Sequence, residues 1–262
     1  MIILLHSSKT MKLTRPDGLE LSKPALAAQA QELGAYLSSL KLKEIQNMMG
    51  VSGNLAQEIM ATASSWPAAK DKGSALHSFR GDVFSGLQVA SFDKKDLLYA
   101  NQHLKIISGL YGLLKPLDAV APYRLEMGYK LPYSAEEPDT SLYKFWGDSL
   151  ARLVPEGEPI VNLTSLEYGR AIVPYLDKSL VISPRFYTYN AKTRQHTSVA
   201  VHSKIARGAF AHWLITQRIN KISELNNFDE IGYQYEASLS TPLEPAFVCR
   251  EFMGKGLSVR LK

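Results

Sequence analysis

"KIISGLYGLLKPLDAVAPYRLEMG", residues 105–128, carries two closely spaced glycines, two prolines and the pair Arg124 and Glu126. Its reading decides whether the middle of the chain is helical or extended. Asp93 is a good N-cap, and the pattern "KKDLLYANQHLKIIS" after it predicts a helix running to Ser108. The corner Gly109-Leu110-Tyr111-Gly112 then ends that helix, and a short second helix must stop before Pro122, with Pro116 in its first turn. Two readings of the corner stay open. One is an ordinary glycine cap and tight turn. In the other, Leu110 plugs the core while uncovered amides and the positive end of the second helix face an anion such as phosphate.

The chain around this stretch has 262 residues, 45% apolar and 21% charged, enough for a sizeable buried core. No apolar run approaches the length of a membrane helix, and Ile2–Leu5 is too short for a secretion signal, so a soluble cytoplasmic protein is expected. Cys249 is the single cysteine; an internal disulfide is excluded, and "AFVCREF" reads as a buried strand. The net charge is +5, unevenly spread. Between Lys178 and Ser223 stand eight basic residues and no Asp or Glu, so the rest of the chain is net acidic. Segregated positive charge suits a polyanionic partner; the alternative is a solvated face whose acidic partners come from elsewhere.

Working outward, "MIILL" reads as a buried strand, and Ser22 as the cap of a helix with Pro24 in its first turn and Leu26, Ala30, Leu33, Leu37 and Leu40 along one stripe. Helical pattern continues to Trp66 with a break at Gly50, and residues 66–78 read as a connection. "KLPYSAEEPDTS" (130–141) is the most loop-like stretch. "PIVNLTS", "SLVIS", "RFYTYNA", "TSVAVHS", "GYQYEAS" and "AFVCREF" read as strands, with "SKIARGAFAHWLITQRI" a helix among them. Helices early and strands late predict an α+β (mixed α/β) fold, a mixed twisted sheet flanked by helices, in one domain spanning 1–262.

On the late helix, Lys204, Arg207, Ala211 and Arg218 share a side with Gly208, opposite Ile205, Ala209, Phe210 and Trp213. Its small residues would let a phosphate backbone approach between cations, with Lys192 and Arg194 extending the track; plain solvation is the competing reading. Phe186, Tyr187 and Tyr189 are candidate stacking surfaces for unpaired bases. Lys9 and Thr10 after a buried strand suggest phosphate contact, but the frame of a P-loop is absent. Asp82, Glu126 and Glu167 are candidate acid-base carboxylates, with Asn162 and Tyr168 to orient a substrate. Glu126 reads equally as a structural partner of a cation, and "FRGDVFSGL" as a turn with Asp82 capping an amide. The six histidines fall in no metal-ligand frame, so neither a metal nor a cofactor is expected.

Taken together and in order, Lys9-Thr10, "FRGDVFSGL" (79–87), "ISGLYGLLKPLDAVAPYRLEMG" (107–128), "FWGD" (145–148), "NLTSLEY" (162–168), "SKIARG" (203–208) and "FDEIGY" (228–233) resemble the YaaA family of bacterial peroxide-stress-resistance proteins. The resemblance implies the family's "cantaloupe" α/β fold, a positively charged cleft, and a helix-hairpin-helix element that binds DNA, duplex or partly unpaired. It also implies a role in hydrogen peroxide survival through limiting unincorporated iron. Carried onto this chain, the hairpin is Gly109, Leu110, Tyr111 and Gly112, and the DNA-binding cleft residues are Lys9, Thr10, Arg124, Lys204 and Arg207. The family's usual "SPAKT" loop reads "HSSKT" here. The alternative is an enzyme acting on a nucleobase or nucleoside in the same cleft, with Glu126 or Glu167 as acid or base; a nucleotide-like small ligand would suit the cleft in either case.

Overall fold

A computed structural model describes residues 1–131 and 140–256; the loop-like stretch read at 130–141 therefore falls largely outside the described residues. Two sheets organise the chain. The first has five strands: β1 (Ile2–His6), β2 (Leu104–Ser108), β3 (Gly112–Leu114), β4 (Ile160–Asn162) and β5 (Val181–Ile182), in the order β5-β4-β1-β2-β3. All neighbours are parallel except β2 and β3. Parallel strands are covered on both faces, which explains why all five residues of β1 and of β2 are buried and why neither alternates in polarity.

The second sheet holds β6 (Arg185–Asn190), β7 (Gln195–Thr197), β8 (Tyr233–Tyr235) and β9 (Ala246–Cys249), in the order β7-β6-β9-β8. With the helices α1 (Ala27–Ser39), α2 (Leu42–Met49), α3 (Gly53–Ser65), α4 (Asp82–Leu87), α5 (Lys94–His103), α6 (Leu166–Gly169) and α7 (Ala200–Thr216), these make an α+β fold of mixed sheets. Gly50 ends α2 in the left-handed conformation and Ser52 precedes α3, as the sequence suggests.

Four expectations are corrected. The helix begun at Asp93 stops at His103, and residues 104–108 form β2, because Ile106 and Ile107 fit a sheet buried on both faces. Consequently Gly109–Gly112 is no corner between helices but the tight turn of the antiparallel β2–β3 hairpin. Ser22 caps no helix: its hydroxyl donates to buried Asp118 at 2.7 Å, and α1 starts only at Ala27. Much of "TSVAVHS" is the first turn of α7 rather than a strand.

The face of α7 also differs from the expectation. Gly208 and Ala211 are buried, and a Cβ on Gly208 would lie 1.9 Å from the Val83 carbonyl oxygen. Gly86 is equally tight, its added Cβ falling 2.0 Å from the Ile205 carbonyl oxygen. The small residues of α7 thus admit α4 at close range, not a phosphate backbone. Phe186 is likewise interior, ringed by Phe210, Phe228, Tyr233 and Phe247, so it offers no stacking surface. Tyr189 is partly covered, with the Arg250 guanidinium 4.8 Å from its ring centroid.

Candidate functional site

β1 and β4 are adjacent and parallel, yet the next strand after β1 lies on one side of the pair and the next after β4 on the other. Ligands in open α/β sheets bind at such a reversal, beyond the carboxyl ends of the strands. A cleft of about 500 Å³ opens there. Its walls are His6, Ser7, Ser8, Lys9 and Thr10 after β1; Ser165, Glu167 and Tyr168 after β4; Gly81 and Asp82 with the first turn of α4; Glu126; and Lys204 of α7.

Local structure fixes each wall. Thr10 and Met11 pair antiparallel with Arg80 and Phe79, tying the loop after β1 to the start of α4. The Arg80 guanidinium locks that junction by donating to the His77 carbonyl at 2.5 Å and to the Thr14 hydroxyl at 2.9 Å. Gly81, at φ +141°, passes so near Ser8 that a Cβ would meet its hydroxyl oxygen at 2.9 Å. Behind β4, the Asn162 side chain accepts from the Thr164 amide and hydroxyl and donates to Ser183, so it shapes the loop instead of facing a substrate.

Charges in the cleft are interleaved. Lys9 Nζ lies 2.8 Å from Glu126 Oε2, the lysine well exposed and the carboxylate mostly covered. The other Glu126 oxygen accepts from the Tyr129 hydroxyl at 2.5 Å. Burial and that carboxylate together push the Tyr129 pKa up to about 12. Glu167 accepts from the Gly128 amide at 2.8 Å, which joins the loop after β4 to the Arg124–Gly128 segment.

His6 is buried, stacked 4.8 Å from the Tyr168 ring, and hydrogen-bonded at Nδ1 by the Ser165 amide. Desolvation, then Arg207 and Lys204, lower its pKa to about 3, so the ring is neutral and carries its proton on Nε2. Burial and the Ser7 hydroxyl act in opposite senses on Tyr168, burial prevailing, so its phenol stays protonated at any physiological pH.

Lys9, Thr10, Lys204, Asp82, Glu126 and Glu167, far apart in sequence, therefore meet in one cleft. Arg207 stands beside them, half-buried, close enough to act on His6. Arg124 does not line the cleft: its side chain hydrogen-bonds the Tyr129 hydroxyl, while its Nε is buried with no hydrogen-bond partner among the described residues. Gly109, Leu110, Tyr111 and Gly112 are all buried, and the Gly109 carbonyl accepts from Trp146 Nε1. With the turn buried and the Tyr111 amide given to Ser108 Oγ, the expected phosphate contact here is corrected.

The turn supports the cleft from below instead. Ser108 Oγ accepts from the Tyr111 amide and is 2.6 Å from the Tyr123 hydroxyl, which also bonds Ser7, and Ser7 bonds Tyr168. His6, Ser7, Ser8, Ser165 and Tyr129 escaped sequence reasoning as site residues; a buried strand running straight into the polar string "HSSKT" was the signal available. Among the described residues no three His, Cys, Asp or Glu side chains gather closely enough to hold a metal ion.

A family model described as "Peroxide stress protein YaaA" matches residues 1–239. The chain belongs to the YaaA family. A UPF0246 protein of Salinispora tropica is 46% identical over 261 residues, covering 99% of this chain and 98% of the relative. UPF0246 proteins of Janthinobacterium sp. and Shewanella woodyi are each 36% identical, covering 92% and 94% of this chain and 95% and 98% of theirs. Membership in the YaaA family makes this a peroxide stress protein. Among its described residues no helix is long and apolar enough to cross a membrane.

Proposed function

We propose that this YaaA-family protein acts in the hydrogen peroxide response by binding DNA through the cleft, gripping phosphates largely without regard to sequence and so limiting iron-driven damage. The observation that carries the reading is that Lys9 and Thr10 from the first loop and Lys204 from the late helix line the same opening, with Arg207 beside them. Lys9 is exposed although its partner Glu126 is mostly covered, so its ammonium is open to a phosphate. The β2–β3 turn takes no part in this grip, and cytoplasmic DNA is the polyanion the reading names.

Binding should weaken with salt, with a log–log slope near −0.9 for each phosphate held and about −2 to −3 for the cations named. Lys9→Glu with Lys204→Glu should weaken binding to every sequence tested, and a flat salt dependence would sink the reading. A second reading has its own support, because Asp82, Glu126, Glu167 and neutral His6 line the same cleft. Under it the protein acts on a nucleobase or nucleoside, with Glu126 or Glu167 as acid or base. Glu126→Gln and Glu167→Gln should then abolish turnover of a nucleoside panel and spare DNA binding; a panel with no turnover removes this second reading.

A further inference from the structure

We propose that the cleft receives one nucleotide extruded from the DNA stack, and that Leu166 is the wedge that fills the space it leaves. This rests on the reading that the cleft holds DNA.

Leu166 is 74% exposed, the most exposed large apolar side chain among the described residues; Leu55, Leu98, Tyr175, Ile222, Leu239, Leu243 and Met253 lie between 38% and 65%. A solitary exposed leucine is ordinary on a protein surface. Its position is what separates this one: Ser165 before it and Glu167 and Tyr168 after it all line the cleft. Leu166 itself is not part of the wall, but it is bracketed in the chain by three wall residues of the opening that combines cations with base-edge partners.

The rim is also rigid. Leu166 opens the short helix α6, closed by the Gly169 amide on the Ser165 carbonyl at 2.8 Å and the Arg170 amide on the Leu166 carbonyl at 3.2 Å. The Tyr143 hydroxyl braces the next carbonyl, that of Glu167, at 3.0 Å. A wedge must hold its side chain forward against the stack, and apolar wedges between base steps are a general means of unstacking DNA.

Size and chemistry inside the cleft suit one nucleotide. About 500 Å³ lies in the range of small-molecule pockets and is far too little for a duplex. The His6 Nε2–H offers a donor, and the Glu167 carboxylate an acceptor, to a base edge. Lys9 and Lys204 both line the opening, where they would meet phosphates next to an extruded nucleotide. Enzymes and sensors that take a base out of the stack combine a pocket bearing base-edge partners with something to fill the gap.

The test uses the full chain and a short duplex with a single mispaired 2-aminopurine, the nucleotide cheapest to extrude, with binding followed separately by anisotropy. Wild-type protein at saturation should raise 2-aminopurine fluorescence about threefold or more, and Leu166→Ala should lose most of that rise while its affinity falls by no more than about fivefold. The exposed position of Leu166 leaves the fold of that variant intact. Binding by the wild type without a fluorescence rise, or an equal rise with Leu166→Ala, overturns the wedge and leaves DNA binding standing. Absence of any anisotropy change overturns the DNA-binding reading and the wedge with it.

Discussion

His6 is the residue at which the environment most changes the chemistry. Free in an unfolded chain it titrates near 6.5; folded, with burial, Arg207 and Lys204 against its charged form, it titrates at about 3. Below pH 6.5 the unfolded chain takes up a proton that the folded chain refuses, so stability falls as the pH drops towards 3. The slope due to this group is about 1.4 kcal/mol per pH unit once the unfolded imidazole is mostly charged. Urea unfolding at pH 7.5 and at pH 5.0 should therefore differ by less in His6→Asn than in the wild type. Tyr111 supplies a second prediction at this scale. Its hydroxyl accepts from Trp66 Nε1 and the Ala121 amide, so Tyr111→Phe strands two covered donors and should cost about 2 kcal/mol in the same assay. Sequence made Lys9 and Thr10 legible as polar residues after a buried strand, and Asp82, Glu126 and Glu167 as candidate acid-base carboxylates. It could not place Arg124 or Asn162, whose partners Tyr129, Ser183 and Thr164 are set by tertiary geometry.

Among the elements, the crossing of α4 and α7 is the tightest helix contact for which glycine is required, with Gly86 and Gly208 each against the other helix's backbone. Gly208→Ala should destabilise by about 3 kcal/mol or more, because the neighbour is a carbonyl on a packed helix and cannot yield as a flexible side chain does. Gly50→Ala, at φ +62° with open space around it, should cost only about 1 kcal/mol; comparing the two melting curves separates crowding from backbone strain. Most strands and helices were readable because their patterns are long or β-rich. β2 was not, since an apolar run of four or five residues attached to a helical pattern fits helix or buried strand equally until its neighbours β1 and β3 are known.

Over the whole molecule, the positive charge gathered between residues 178 and 223 is partly met by acids from elsewhere in the chain. Lys204 lines the cleft and Arg207 stands beside it, but Arg218 pairs with Asp96 at 2.9 Å and lies over Tyr99, and Arg185 pairs with Glu244. Linear charge density does not reveal such partners, while the family resemblance, which depends on several motifs in order, held across the chain. Phe186 belongs to an aromatic cluster that joins the second sheet to α7, through Phe210, Phe247 and Phe228. Phe186→Ala should lower stability by about 3–5 kcal/mol by calorimetry, the signature of a lost core ring.

β1 has both of its neighbours downstream: Ile3 aligns with Leu104 on one side and Ile2 with Ile160 on the other. A ribosome adds about 5–20 residues per second, so β1 spends on the order of ten seconds as a bare apolar edge before its second companion has been made. Nascent chains of this protein should accordingly be clients of holding chaperones, and the cleft, which needs both flanks of β1, is among the last features a growing chain can acquire.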